Sequence, residues 1–229
     1  MSSVCIDRRF RGPPDSGNGG YFAGLLAKEL GGSGIVVTLK KPAPLGVELK
    51  VEGEAGGATL FHGEDVLALA ELAELAIDVP NPPSLAEAQV AETRFDQAAH
   101  IYPGCFVCGP ARASGDGWRI FPGPIAAGRV AASWTPAAEF GDGHGEVKPE
   151  FIWAALDCPG YFAVQDAAGL ALLGRMGVVV HQPVPVEEPV VVQAWAIGSD
   201  GRKHHAGTAI HAANGRLLAS ASQTWVTLR

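Results

Sequence analysis

The sequence lacks any uninterrupted apolar run of about 18 residues, the length that a membrane-spanning helix needs. Its first residues include Asp7, Arg8, Arg9 and Arg11 and hold no apolar segment of the kind that signal peptides contain. These absences argue against a helical membrane protein. We therefore expect a cytoplasmic protein that does not bind membranes.

Basic residues are also scarce. Lys and Arg total 17 against 24 Asp and Glu, which gives a formal net charge of -7. Proteins that bind nucleic acids usually carry a basic face or stripe that attracts phosphates. The sequence contains no such stripe, so we expect no nucleic-acid partner.

Cysteine is too rare and too irregularly spaced for a secreted disulfide framework, with Cys5, Cys105, Cys108 and Cys158 as the only four. Cys105 and Cys108 form a single Cys-x-x-Cys with His100 nearby. No second pair follows at the spacing of zinc ligands, so the motif alone is a weak signal for metal or redox chemistry. We expect no metal site and no separate cofactor.

Apolar residues, in contrast, are abundant. Hydrophobic residues make up 47% of the 229 residues and charged residues only 18%. A chain of this length and composition can bury a large core, either in one larger domain or in two small ones.

The first third of the chain predicts one helix followed by an antiparallel meander. A loop of turn-forming residues at 12–20 precedes a helical run at 21–30, which ends at Gly31 and Gly32. Four strand-like runs follow, separated by Pro-rich and Gly-rich turns. They lie at residues 35–41, 47–54, 58–61 and 66–75.

The rest of the chain predicts a linker and then a second unit of the same kind. Residues 80–116 open with three prolines, at 80, 82 and 83, and continue with a short helix capped by Ser84 and with the Cys-x-x-Cys. A helix is expected to begin at Pro149. Strands are expected at 118–121, 129–134, 176–181, 190–197, 203–211 and 216–228. This pattern divides the chain into an N-terminal unit at 1–79, a linker at 80–116 and a C-terminal unit at 117–229.

Two short sequences recur in the two units. Gly-Tyr-Phe-Ala at residues 20–23 returns at 160–163, and residues 37–45 resemble residues 178–186. Each unit alone is too small to cover its sheet well, so two copies would complete one another. The sequence thus predicts an α+β protein with a tandem hotdog fold, in which curved antiparallel sheets each wrap a central helix.

With these features the sequence resembles the thioesterase II family of double-hotdog acyl-CoA thioesterases over most of its length. The resemblance rests on Asn18-Gly19-Gly20 before the first helix, on residues 154–157 and 180–183, and on residues 215–223. It implies that Asp157 and Gln223 occupy catalytic positions and that the substrate is an acyl-CoA. One departure is clear, because Leu173 stands where the family places a hydroxyl residue.

Asp157 is the one carboxylate that interrupts the apolar run after Pro149 and Glu150. A buried charge must be capped, paired or used chemically, because burying it alone costs several kcal/mol or shifts its pKa. Two interpretations remain open. Asp157 can be a functional carboxylate inside the helix, or it can be the N-cap of a helix that restarts at Pro159-Gly160.

Gln223 lies on the apolar face of the last predicted strand. Strand alternation puts it on the same side as Leu217, Ala219, Ala221 and Trp225. A buried amide needs hydrogen-bond partners, which could be a bound water and the helix carboxylate, or merely backbone groups.

Two further groups are candidates for substrate contacts. Asn18, Gly19 and Gly20 can place backbone N–H groups at a helix N-terminus beside a developing oxyanion, or they can serve only as a helix cap. Arg202 and Lys203 belong to the densest basic cluster and can bind the phosphates of coenzyme A, or they can form a solvated hairpin tip.

The function that we expect is hydrolysis of an acyl-CoA thioester by a water that Asp157 and Gln223 orient and deprotonate. Two other classes stay open: a non-catalytic acyl-CoA-binding protein, and an enoyl-CoA hydratase-like enzyme that would use Asp142 and His144. The first unit has no acid at the place of Asp157, where Ser16 or Ala27 stands depending on the alignment. We therefore expect one active site per chain. A homodimer is also expected, because further dimerisation through sheet edges or faces is common.

Overall fold

The computed structural model describes residues 2–32 and 34–228. It contains three α-helices, α1 (Gly19–Ala27), α2 (Leu85–Glu92) and α3 (Pro149–Ala168). Eleven strands accompany them: β1 (Ser2–Cys5), β2 (Ile35–Leu39), β3 (Glu48–Glu54), β4 (Gly57–His62), β5 (Asp65–Leu72), β6 (Gly123–Ala126), β7 (Arg129–Trp134), β8 (Ala171–Val180), β9 (Val190–Asp200), β10 (Lys203–Ala212) and β11 (Leu217–Thr227). None of the helices in these described ranges is both long and apolar enough to cross a membrane.

All eleven strands form one antiparallel sheet with the order β1-β3-β4-β5-β2-β8-β11-β10-β9-β7-β6. Read outward from its centre, the order repeats. The run β2-β5-β4-β3-β1 on one side matches β8-β11-β10-β9-β7 on the other, and β6 extends the second edge. The two runs meet where β2 pairs with β8, with Ile35 opposite Val178 and Thr38 opposite Arg175. The sheet runs continuously through both units and so does not test where one unit ends and the next begins. The boundaries proposed at residues 79 and 117 stay a prediction.

Two strands were not expected and one expected strand is absent from the described residues. β1 and β6 are short edge strands that pair with β3 and β7. Residues 118–121 were predicted as a strand, which is wrong because Arg119 adopts a φ of 56°, a left-handed conformation that interrupts an extended chain. This segment instead hydrogen-bonds to the Cys-x-x-Cys loop, where Trp118 N–H and Ile120 N–H donate to Phe106 and Val107.

α3 runs without a break through Pro159. Asp157 is therefore inside the helix, and the interpretation of Asp157 as the N-cap of a new helix at Pro159 is wrong. A proline inside a helix removes one backbone hydrogen bond and strains the preceding turn. Packing on all sides compensates, because every residue from Glu150 to Gly160 is buried.

α1 and α3 cross antiparallel at glycines. A Cβ atom built on Gly20 would lie 2.6 Å from the Cβ of Asp157, and one built on Gly24 would lie 2.7 Å from the Cα of Glu150. Only residues without a side chain permit so close an approach. The crossing places the N-terminus of α1 directly against Asp157, and it positions the candidate site.

Candidate active site

A cavity of about 310 Å³ opens where the N-terminus of α1 meets the middle of α3. Its lining is mostly apolar and comes from segments of both halves: the loop before α1 and its first residues (12–13, 16–19 and 22), the end of β2 and its following loop (39–42), the Cys-x-x-Cys segment (100–102, 105 and 108), α3 (157–158 and 161–162), β8 (171–174) and the end of β11 with Leu228 (225–226 and 228). A largely apolar cavity with a few convergent polar groups is typical of small-molecule sites.

Asp157 is the acidic residue of this cavity and is only 3% exposed. Its Oδ2 accepts a hydrogen bond of 2.8 Å from the Gly20 N–H. Its Oδ1 has no hydrogen-bond partner among the described residues. Burial raises the pKa of the carboxyl to about 7, although the Gly20 hydrogen bond acts in the opposite direction.

Asn18, Gly19 and Gly20, which the sequence singled out as candidates for substrate contacts, lie beside this carboxylate. The Asn18 Oδ1 accepts from the Tyr21 N–H at 2.9 Å and so caps α1. Gly19 lines the cavity, and a Cβ built on it would lie 3.4 Å from the Asp157 Oδ2. The first N–H groups of a helix have no acceptor within the helix, so the Gly19 amide is suited to bind a ligand oxygen.

Gln223 is buried among apolar residues, but its amide does not reach the Asp157 carboxylate. The Nε2 donates to the backbone carbonyls of Leu156 and Asp157, the latter at 3.2 Å, and the Oε1 accepts from the Trp225 Nε1 at 2.8 Å. Gln223 is also not among the described residues that line the cavity. The structure therefore places Gln223 behind Asp157, against the helix backbone.

Leu173 replaces the hydroxyl residue expected from the resemblance, and it too lines the cavity. Its Cδ2 would lie 3.2 Å from a Cβ built on Gly19. The cavity wall that β8 contributes beside the α1 N-terminus is thus apolar at this position.

The basic residues at the cavity differ from those singled out in the sequence. Lys40 and Lys41 line the cavity and are exposed, although Lys41 pairs with Asp65 at 2.5 Å. Arg202 and Lys203 do not line it. The Arg202 carbonyl accepts from the Thr227 N–H, between Val226 and Leu228 of the cavity lining. Sequence reasoning missed the two lysines because their position depends on how the loop after β2 folds over the site.

Asp142 and His144 lie away from the cavity, on a loop before α3. The Asp142 Oδ1 accepts from the backbone N–H groups of His144 and Glu146, which lowers the pKa of Asp142. His144 is exposed. The arrangement is that of a turn, and it does not bring these two residues to Asp157.

The cavity also brings together three cysteines, which sequence spacing alone did not predict. Cys158 of α3 joins Cys105 and Cys108 of the Cys-x-x-Cys loop, and all three are buried. Hydrogen bonds from the Cys108 and Cys158 thiols, and from the backbone amides of Cys108 and Val107, hold the pKa of Cys105 well below its usual value. The one signal in the sequence was that Cys158 follows Asp157.

The site thus offers a buried carboxylate with one free oxygen, an amide at a helix N-terminus beside it, and an apolar cavity with lysines near its opening. A carboxylate can accept a proton from a water, and the amide can stabilise a negatively charged oxygen. Fold and site together define an α+β protein of the hotdog type with an apolar cavity that contains one buried carboxylate.

Comparisons with solved structures agree with this fold. The chain is similar to a Thermobifida fusca YX protein provisionally named a thioesterase II, with a TM-score of 0.65 and 16% identity, covering 99% of this chain and 93% of the other. It is similar to an acyl-CoA thioesterase II from Mycobacterium marinum, with a TM-score of 0.60 and 12% identity over 99% and 92% of the two chains. The same TM-score, identity and coverage hold for an Alicyclobacillus acidocaldarius protein of unknown function with a hotdog fold. At these identities the likeness establishes the fold.

Comparisons of the sequence itself give no match to any protein-family model and none to a curated protein.

Proposed function

We propose that the protein is an acyl-CoA thioesterase and that Asp157 is its catalytic residue. The observation that carries the proposal is the free Oδ1 of this buried carboxylate, which belongs to a residue of the cavity wall next to the N-terminus of α1. Such a carboxylate needs a partner, and a water held between it and a bound carbonyl group would supply one.

In the proposed reaction the thioester carbonyl oxygen accepts a hydrogen bond from the Gly19 N–H. The ionised Asp157 takes a proton from the water through its Oδ1 while the water oxygen bonds to the carbonyl carbon. The negative charge that forms on the carbonyl oxygen is stabilised by the Gly19 amide and the helix dipole. The carbon–sulfur bond then breaks, the thiolate receives the proton, and the products are the free acid and coenzyme A.

Gln223 has a positioning role in this proposal. Its Nε2 is bound to the carbonyls of Leu156 and Asp157, so it fixes the turn of α3 that carries the carboxylate. The sequence suggested that Gln223 contacts the water directly. The positioning role is proposed instead because the side-chain amide is already bound to the α3 backbone and to Trp225.

The coenzyme A part of the substrate needs cations for its phosphates. Lys40 lines the cavity and is exposed to solvent. Arg202 lies beside the end of β11, which borders the cavity. We propose that Lys40 contacts the phosphates, with Arg202 and Lys203 as outer contacts. The acyl chain would occupy the apolar part of the cavity, near Phe22 and Phe162.

Two other observations support the proposal. Structures named thioesterases match the chain over 99% of its length. In addition, the repeated strand order and the pairing of β2 with β8 fit two hotdog units fused in one chain. The site lies between the two central helices, which is where a fused pair of units can enclose a ligand.

The decisive experiment is replacement of Asp157 by Asn, which keeps the shape of the side chain and removes the base. Release of coenzyme A thiol from a series of acyl-CoA esters should fall by about 100-fold or more. The matched control is Asp166→Asn, since Asp166 is an exposed carboxylate on the same helix. Circular dichroism would check the fold of both variants. Wild-type rates in Asp157→Asn would contradict the proposal.

A binding protein without catalytic activity is the second candidate, and Leu173 favours it because a hydroxyl that would help to hold water is missing. Calorimetry with an acyl-CoA decides between the two. Saturable binding to the wild-type protein without any thiol release would support the binding protein and reject the thioesterase.

A further inference from the structure

The sulfur atoms of Cys105, Cys108 and Cys158 form a compact group at the cavity wall. All three lie within 4.8 Å of one another, and the Cys105 and Cys158 sulfurs are 3.6 Å apart. Two of the cysteines come from one loop and the third from α3, so the group joins two distant parts of the chain.

The spacing matches that of ligands on one metal ion. Zinc binds thiolates at about 2.3 Å in a tetrahedral arrangement, so two of its sulfur ligands are about 3.8 Å apart. The distance between Cys105 and Cys158 is close to that value. The Cys108 sulfur lies within 4.8 Å of both, so small side-chain rotations can bring the three sulfurs to one face of a tetrahedron.

The loop that carries Cys105 and Cys108 is folded tightly around the first sulfur. A Cβ built on Gly109 would lie 2.6 Å from the Cys105 backbone nitrogen and 2.5 Å from the Pro103 carbonyl oxygen, so only glycine fits after Cys108. This tight turn brings the Cys105 and Cys108 sulfurs together, within 4.8 Å of the Cys158 sulfur.

The Cys108 and Cys158 sulfurs face N–H donors. The His100 Nε2 lies 3.2 Å from the Cys108 sulfur, and its Nδ1 accepts from the Tyr102 N–H at 3.1 Å, which leaves the proton of a neutral ring on Nε2. The Asn18 Nδ2 lies 3.6 Å from the Cys158 sulfur. These contacts orient the Cys108 and Cys158 sulfurs beside that of Cys105.

We propose that Cys105, Cys108 and Cys158 bind one zinc ion, with a water as the fourth ligand on the side of the cavity. His100 is a supporting donor rather than a ligand, because its Nε2 carries the proton. The site departs from the expectation that a lone Cys-x-x-Cys holds no metal, since the third ligand comes from α3. It is independent of the proposed hydrolysis, in which no step uses a metal.

The ion would fix the loop of residues 100–109 to α3, one residue beyond Asp157. The wall of the cavity would then depend on the metal for its shape. Soft sulfur ligands also favour zinc over magnesium or calcium, which bind oxygen.

The test is to measure the metal content of the full-length protein, purified without chelators, by inductively coupled plasma mass spectrometry. One zinc per chain is expected. Titration of the thiols with p-hydroxymercuribenzoate should release that zinc to a coloured indicator. Replacement by cobalt should give the visible absorption of a tetrahedral site, together with charge-transfer bands from sulfur in the near ultraviolet.

Variants assign the ligands. Cys105→Ser and Cys158→Ser should lose stoichiometric zinc and the sulfur bands, whereas Cys5→Ser, at an exposed cysteine outside the group, should keep both. His100→Ala should retain the tetrahedral cobalt spectrum but bind zinc roughly 10–100-fold more weakly. If a variant does not fold, the mercurial titration of the wild-type protein still gives the answer.

A wild-type protein that holds no metal, and that gains no sulfur-to-cobalt bands when supplied with cobalt, would overturn the proposal. Zinc that remains bound to the Cys105→Ser variant would also overturn the proposal.

Discussion

Both ends of the Gln223 amide are bound within the protein. Its nitrogen donates to the backbone of α3 and its oxygen accepts from the Trp225 indole. The amide therefore links β11 to the turn of the helix that carries Asp157. At this scale a residue can matter for catalysis without touching the substrate, by holding a neighbour in place.

Replacement of Gln223 by Leu should lower the free energy of unfolding by about 1–3 kcal/mol, because the Trp225 N–H and a helix carbonyl lose their buried partner. Urea denaturation followed by fluorescence measures the change. The control is Gln165→Leu, at an exposed position of α3, which should alter stability by less than about 0.5 kcal/mol. Equal stability of the two variants would show that the hydrogen bonds of the Gln223 side chain contribute nothing to the free energy of unfolding.

At the scale of elements, the crossing of α1 and α3 decides the geometry of the site. Gly20 serves twice, since it lets the two helices approach and its amide binds the Asp157 carboxylate. A methyl group at this position cannot be accommodated without moving one helix.

We expect Gly20→Ala to destabilise the protein by about 1–3 kcal/mol through overpacking. It should also lower hydrolysis, since the helices must separate at the carboxylate. Thermal denaturation and the thiol-release assay measure the two effects. Gly53→Ala is the control, because a Cβ at Gly53 meets nothing within 4 Å. A Gly20→Ala protein as stable and active as this control would contradict the prediction.

The sequence allowed the long elements to be predicted well, because their apolar periodicity is strong. The helices that begin near residues 20 and 149 and most of the long strands are found close to the expected bounds, but β8 begins at Ala171, five residues before its expected start. The short edge strands β1 and β6 were missed, since four residues carry little periodic signal. The prediction of a strand at residues 118–121 was wrong for another reason. Arg119 has a left-handed backbone conformation, which no pattern of apolar residues reveals.

The candidate site was predictable only in part. Asp157 stood out as a charge in an apolar run, and Asn18, Gly19 and Gly20 were found next to it. The binding partners of Gln223 depend on where a helix turn lies relative to a strand. The grouping of Cys158 with Cys105 and Cys108, and the position of Lys40, depend on loops that only the folded chain brings together.

At the scale of the whole molecule, the two halves of the sheet have the same strand order but different chemistry. The N-terminus of α1 supplies amides and α3 supplies the carboxylate, so the two helices contribute unequal parts to one cavity. The expected homodimer remains a prediction.

One acyl-CoA should therefore bind per chain. Calorimetry with the Asp157→Asn variant, in which hydrolysis is blocked, should give a stoichiometry of one. Binding at the symmetry-related position of the other half would raise it to two, and that result would contradict a single site built from both helices.

The pairing of β2 with β8 has a further consequence for how the protein behaves on dilution. Two separate subunits joined at such a seam would come apart at low concentration, and their shared site would be lost. Here one covalent chain carries both edges, so their effective concentration is fixed by the connecting segment and not by the solution. Each half is thus free to change its own residues without having to remain a partner for an identical copy.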